Sequence, residues 1–388
     1  MPRPEARSSD SFGLDVRAVA EKLSAWYRKG HRPLPWRETR DPYAIWVSEV
    51  MLQQTRVEKV LPYFVRFLAR FPSITSLSSA MPDEVLKLWE GLGYYGRARH
   101  LVKAAREVEA LGAWPRTAEE LARLPGIGRS TAGAIASIAF REKAPILDGN
   151  VRRVLARLVA YDRVPAGPAI EPLWRLSESA VRSARDPALV NQALMELGAT
   201  VCTAKRPACG TCPIGSLCSA HARGSEERYP LRVRKPRRRR VQVSVAVLWR
   251  GESFLVQKRP DEGFLGGLWE LPGGKWQEGE DARRALLREI QEETGSAVEI
   301  VAEHPPVRHA YTHFEVTIHP FECTVVKGAR VSPRLPFRWI RPRDISVLAF
   351  PAGTLKVFDR VFIEGPKVAD GAGAYIPKAA DRKRSEKP

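Results

Sequence analysis

"LPGIGRSTAGAIASIAF" (residues 124–140), followed at 146–157 by "ILDGNVRRVLAR", is the stretch on which the fold turns. Pro125 and the glycines at 126 and 128 mark a tight turn, and the residues after them recur at helical spacing. Glycines that open a helix let the backbone approach a phosphate, whose charge the helix N-terminus favours. Many tight turns look like this one, so the hairpin alone is a weak signal. Asp148 stands 20 residues past Gly128, ahead of a second helical run, where it reads as an N-cap worth roughly 1 kcal/mol. Hairpin and aspartate together are far more specific than either alone.

Outward from this centre, residues 15–222 read as helical almost throughout. "DEVLKLWEGL" and "ARHLVKAAREVEAL" place apolar side chains three and four residues apart, between turns marked by Pro and Gly. Residues 1–14 are polar and rich in Pro and Ser, as expected of a disordered N-terminus. Residues 223–240 hold nine Lys and Arg against two Glu, a basic linker fit to meet phosphates or simply a solvated tether. Then "VQVSVAVLW", "SFLVQKR" and "FEVTIHPFECTVV" read as strands around one helix, predicting a smaller α/β domain over 241–365. The tail 366–388 has few large apolar residues and is expected to be disordered.

A chain of 388 residues suits two domains. Its net charge of +19 calls for a polyanionic partner, nucleic acid first and a membrane surface second. No apolar run approaches the ~18 residues of a bilayer helix, and the start lacks a secretory core, so an intracellular, cytoplasmic protein with no membrane partner is expected.

Four of the five cysteines crowd into one loop: Cys202, Cys209, Cys212 and Cys218, with gaps of six, two and five residues. In a reducing compartment this is a metal site. Zinc sites more often show two C-x-x-C knuckles and only one is present, so a [4Fe–4S] cluster is favoured over zinc. Cys323, in a predicted strand, reads as an inert core residue. Glu49 lies inside the apolar run "WVSEVML", where desolvation would raise its pKa unless an arginine pairs with it.

The cysteine spacing resembles the cluster loop of the endonuclease III superfamily of DNA glycosylases. The hairpin with Asp148 resembles its helix-hairpin-helix and aspartate. In that superfamily the cluster is structural and positions DNA, a role that Lys205 and Arg206 fit. Bifunctional members carry a nucleophilic lysine after the hairpin; here the position is Ser130, so a monofunctional glycosylase is implied. "LPWRETRDPYAIWVSEVMLQQTRVEKV" (34–60) resembles the adenine DNA glycosylases, the MutY family, which excise adenine mispaired with 8-oxoguanine.

That resemblance makes Glu49 the general acid and Asp148 the stabiliser of an oxocarbenium-like sugar, the two-carboxylate logic of glycoside hydrolysis. It places Trp36, Arg37 and Leu52 around a flipped-out adenine. Gln54 and Tyr94 (in "GLGYYGRAR") would wedge beside the orphaned base, with Thr55 close by; a Gly-rich loop favours exposure of both Tyr94 and Tyr95. Arg32, Leu92, Gly126, Gly128, Ser130 and Asn150 join the residues implied to contact DNA. The partner implied is double-stranded DNA with adenine opposite 8-oxoguanine or guanine, and the protein is expected to be a monomer.

One feature stands apart in so basic a chain. "LREIQEETG" (287–295) puts Glu289, Glu292 and Glu293 on one helical face, where they repel unless a cation sits among them. With Gly274 and Glu280 upstream it fits the Nudix signature except at Ser296, which replaces an aliphatic residue. The resemblance implies Mg²⁺ on those three carboxylates. "HAYTHFEV" (309–316) resembles instead the family loop that reads 8-oxoguanine, through Tyr311, Thr312 and His313. The fold expected is therefore a helix-hairpin-helix glycosylase domain with an iron–sulfur loop, followed by a Nudix-like α/β recognition domain. The alternative function is nucleotide pyrophosphohydrolysis by the C-terminal domain, with the helical half binding DNA.

Overall fold

Asp41 and Pro42 start the innermost helix. In the computed structural model, which describes residues 12–233 and 238–363, the Asp41 carboxylate accepts from Tyr43 N at 3.0 Å and Ala44 N at 3.3 Å. Pro42 opens the helix Pro42–Leu52 where no donor is lost. This helix is apolar nearly all round and so lies in the interior, with Ile45, Trp46, Val47 and Met51 buried. It packs against Val57–Arg70 and Arg129–Phe140, while Pro187–Thr200 packs against Val16–Lys29, Arg129–Phe140 and Gly149–Leu158.

Small residues set one close approach. A Cβ on Gly133 would lie 2.1 Å from the Pro145 carbonyl oxygen, so only glycine lets the segment before Asp148 run along the helix Arg129–Phe140. Buried Asn191 ties the same segment down, donating to Ser137 Oγ at 2.8 Å and to Ala144 O at 2.9 Å.

The chain divides into two compact units, Met1–Ser79 with His100–Lys235, and Ala80–Arg99 with Pro236–Pro388. The second is built on an eight-stranded sheet: β1 (Arg239–Arg250), β2 (Ser253–Lys258), β3 (Trp269–Glu270), β4 (Gly273–Lys275), β5 (Val298–Glu303), β6 (Val307–Ala310), β7 (Phe314–Val325) and β8 (Phe337–Ile340). The order is β3-β2-β1-β7-β5, with β4 on β1, β6 on β7 and β8 on β2. β1 and β7 run parallel from Arg239↔Phe314 to Trp249↔Thr324, and the other pairs are antiparallel. Strand alternation sends Ala246 and Leu248 to one face, where Leu286 and Ile290 of the helix Ala282–Thr294 cover them, and Val247 to the other, with Phe254 and Phe358. Cys323 is buried in the first of these clusters, as its strand position predicts.

The helical run is not one self-contained body. Residues 80–99 belong with the sheet: Lys87 Nζ donates to Leu348 O at 2.9 Å and Ile345 O at 3.3 Å, and Glu90 accepts from Phe350 N at 2.9 Å. Asp83 pairs with Lys258, and Arg99 donates to Gly266 O. Periodicity shows that Pro82–Trp89 is a helix but not which partner it packs on. Nor is 223–240 a bare tether throughout, since Tyr229 is buried and Arg239 and Arg240 open β1. The expectations for 1–11 and 366–388 lie outside the described residues. Among the described residues no helix is long and apolar enough to cross a membrane.

Candidate active site

Two carboxylates from different helices meet electrostatically in the first unit. Glu49, on the last turn of Pro42–Leu52, has its carboxyl pushed up to about 7, first by burial, then by the negative charge of Asp148, against the pull of Arg37. Asp148 caps Gly149–Leu158, accepting from Val151 N at 2.7 Å. Burial raises its pKa too, opposed by the backbone N–H groups of Val151 and Asn150 and by Arg153 and Arg152. One acid thus stays protonable near neutrality while the other is supplied with donors for its charged form.

The surroundings of this pair hold one residue the sequence reading missed. Glu196, buried on the helix Pro187–Thr200, takes Arg37 Nη2 at 2.6 Å and Arg32 Nη2 at 2.7 Å. Arg37 also donates to Arg32 O at 3.0 Å. The arginine beside Glu49 is therefore fixed by a different carboxylate, and among the described residues Glu49 has no salt bridge of its own. Trp36 is buried next to Arg37, edge-on to Phe64 at 5.1 Å. Leu52 and Thr55 are half-buried, and Thr55 Oγ1 donates to Gln53 O at 3.3 Å. Gln54 is exposed at φ 58°, a left-handed backbone that a non-glycine residue adopts at a cost.

The hairpin is shaped as its glycines require. Gly126 has φ +76°, and a Cβ on it would come within 2.6 Å of His100 Cβ. Gly128 caps the helix Arg129–Phe140. Ser130 accepts from Leu147 N at 3.1 Å and so holds the residue before Asp148.

The helix that Asp148 opens also carries the cysteine loop. Arg153 donates to Cys202 O at 2.7 Å and to Asn150 Oδ1 at 2.8 Å. Arg157, buried, donates to Cys202 Sγ at 3.3 Å, Thr203 O at 2.7 Å and Glu226 O at 2.8 Å. Cys202, Cys209, Cys212 and Cys218 line one cavity with His221 and Glu226. Four thiols converging on one space fit a metal cluster.

In the second unit Tyr94 is exposed at φ 53°, and its hydroxyl meets Thr312 Oγ1 at 2.9 Å. Tyr95 corrects the expectation of exposure: it is buried, and its hydroxyl oxygen accepts from Gly91 N at 3.1 Å. Consecutive tyrosines thus differ, Tyr94 exposed and Tyr95 in the interior. Leu92 is buried. Tyr311 packs against His309 at 4.5 Å and Phe264 at 5.0 Å, while Thr312 and His313 are exposed. On the acidic helix the cation among the carboxylates is Arg288, which pairs with Glu280 at 2.7 Å, Glu289 at 2.9 Å and Glu292 at 3.3 Å. Glu293 turns away to accept from Gln257 Nε2 at 2.6 Å and Gly273 N at 2.8 Å, and burial pushes its carboxyl up to about 7.

Known proteins line up with these parts. Residues 47–177 match the HhH-GPD superfamily of base excision DNA repair proteins, 202–218 the iron-sulfur binding domain of endonuclease III, and 244–360 the NUDIX domain. The adenine DNA glycosylase of Rattus norvegicus is 37% identical over 90% of this chain and 79% of its own length. That of Homo sapiens is 36% identical over 89% of this chain and 74% of its own. A thermostable thymine-DNA glycosylase shares 28% identity over 54% of this chain and 97% of its own, with a TM-score of 0.49.

Proposed function

Since the chain belongs to the adenine DNA glycosylases, base excision repair enzymes that act on DNA, we propose that its substrate is adenine paired with 8-oxoguanine or guanine. Glu49 is the general acid and Asp148 the stabiliser of the sugar cation. What carries this reading is the pair itself, Glu49 protonable near neutrality and facing the charge of Asp148. Glu49 delivers a proton to the flipped adenine as the N-glycosidic bond breaks, so the base leaves neutral. The Asp148 carboxylate offsets the positive charge that develops on the sugar, and Glu49, now ionised, takes a proton from the attacking water.

Trp36, Arg37 and Leu52 bound the adenine, and Gln54 and Tyr94 enter the stack. Tyr311, Thr312 and His313 read the opposite base. Arg32, Thr55, Leu92, Asn150 and the hairpin residues Gly126, Gly128 and Ser130 hold the DNA or the backbone that meets it. Ser130 provides no amine, which supports base release without strand cleavage. Cys202, Cys209, Cys212 and Cys218 would hold a [4Fe–4S] cluster, which would brace the loop that Arg153 and Arg157 tie to the helix of Asp148, and the glycosidic chemistry stays with the carboxylates. Arg288 among the carboxylates of the acidic helix favours recognition over Mg²⁺-dependent hydrolysis at Glu289, Glu292 and Glu293. Pyrophosphate release from nucleoside triphosphates and Mg²⁺, lost in Glu292→Gln, would support the alternative. The protein acts as a monomer.

The test is adenine release from duplexes that differ only in the base opposite adenine. Release should be fastest opposite 8-oxoguanine, and Glu49→Gln should lower it by roughly 10²–10⁴-fold while duplex binding persists. Excision at an unchanged rate in that variant would remove the acid assignment.

A further inference from the structure

The cavity of the four thiols has two charged side chains on its wall, placed at different cysteines. Arg157 reaches Cys202 Sγ at 3.3 Å. Glu226 stands within 4.8 Å of Cys209 Sγ and takes His221 Nδ1 on its Oε1 at 2.6 Å. The ligand atoms of Cys209, His221 and Glu226 all lie within 4.8 Å of one another. Glu226 is itself fixed, since its backbone oxygen accepts from Arg157 and His221 stands one helical turn after Cys218. These two residues come from the stretch 219–228, beyond the four-cysteine motif, and nothing in the cysteine spacing announces them.

A carboxylate beside a ligand sulfur places negative charge next to an iron–sulfur centre and favours its oxidised form. A partner that donates to that carboxylate withdraws part of the charge. Cluster potentials respond to such charges and to hydrogen bonds around the sulfurs. We infer that Glu226 and His221 are positioning residues that set the reduction potential of the cluster through Cys209, Glu226 lowering it and His221 moderating Glu226. This rests on the cluster being bound by the four cysteines, and it is independent of which mispair the enzyme prefers.

The experiment is protein-film voltammetry of the full-length, cluster-loaded protein, with iron content and visible absorbance measured on the same samples. Glu226→Gln should shift the potential upward and His221→Ala should shift it downward. In the double variant His221→Ala should add nothing, because it acts through Glu226. Adenine release by both variants should stay within about twofold, which separates this inference from the catalytic assignment. Shifts of the same sign, or unchanged potentials with full iron content, would overturn the inference. If Glu226→Gln loads no iron, His221→Ala decides. If neither variant retains iron, the pair is a structural clamp and the inference fails.

Discussion

Glu49, the proposed general acid, has a titration that can be followed by itself. Its folded pKa of about 7 stands above the ordinary 4.5, so the folded protein holds a proton between those values that the unfolded chain has released. Stability from that proton is complete below pH 4.5 and is lost as pH rises through about 7. Excision should follow the same limb, declining as pH climbs past 7 because the acid form of Glu49 disappears. Glu49→Gln should therefore be as stable as the parent at pH 4.5 and more stable at pH 8, by at most about 3 kcal/mol, less whatever its partial exposure recovers. Denaturant unfolding at both pH values measures this difference. An equal gap at both would mean that the carboxyl is not held protonated. The residue was legible as a desolvated acid because it interrupts an apolar helix. Its freedom from a salt bridge was not, because that depends on where Arg37 goes.

Arg37 goes to a helix that starts 150 positions further on, and no local pattern foretells it. The helix Pro187–Thr200 reads as an apolar run with a single glutamate, which sequence alone would place at the surface. Instead burial pushes the Glu196 carboxyl up, and the hydrogen bonds from Arg32 and Arg37 overcome this and hold it at about 2. These bonds thus fasten the segment before Pro42–Leu52 to the helix Pro187–Thr200. Its contribution is present above pH 4.5 and is lost as pH falls towards 2. Glu196→Gln leaves Arg37 buried without its counter-charge, which should cost about 3–5 kcal/mol at neutral pH. That deficit should shrink as pH falls, since the parent loses the same interaction on protonation. A deficit that does not narrow between pH 7 and pH 3 would show that shape rather than charge holds the segment. The helix-start signal at Asp148 was readable, being contained within four residues. The ion pair was not, since 159 residues separate Arg37 from Glu196.

At the scale of the whole molecule the chain is threaded rather than strung. Residues 80–99 lie in the helical stretch of the sequence, yet they carry Asp83, Lys87, Glu90 and Arg99 into bonds with Lys258, Ile345, Leu348, Phe350 and Gly266. The same segment presents Tyr94, whose hydroxyl meets Thr312. The residue proposed to enter the stack is thus built into the unit proposed to read the opposite base. Removing residues 238–388 deletes every one of these partners. It should leave Glu49, Asp148 and the cysteine loop in place but free the segment that bears Tyr94. Amide exchange in 82–95 should then quicken by at least about tenfold, while exchange in Gly149–Leu158 stays as it was. Adenine release should fall more opposite 8-oxoguanine than opposite guanine, because the residues proposed to read the opposite base, Thr312 among them, go with the truncation. A milder variant isolates the link: Thr312→Val should reproduce part of the lost preference, and Thr312→Ser, which keeps the hydroxyl, should not. If truncation leaves exchange in 82–95 unchanged, the segment is held by its own helix and the tie to the sheet does not govern Tyr94.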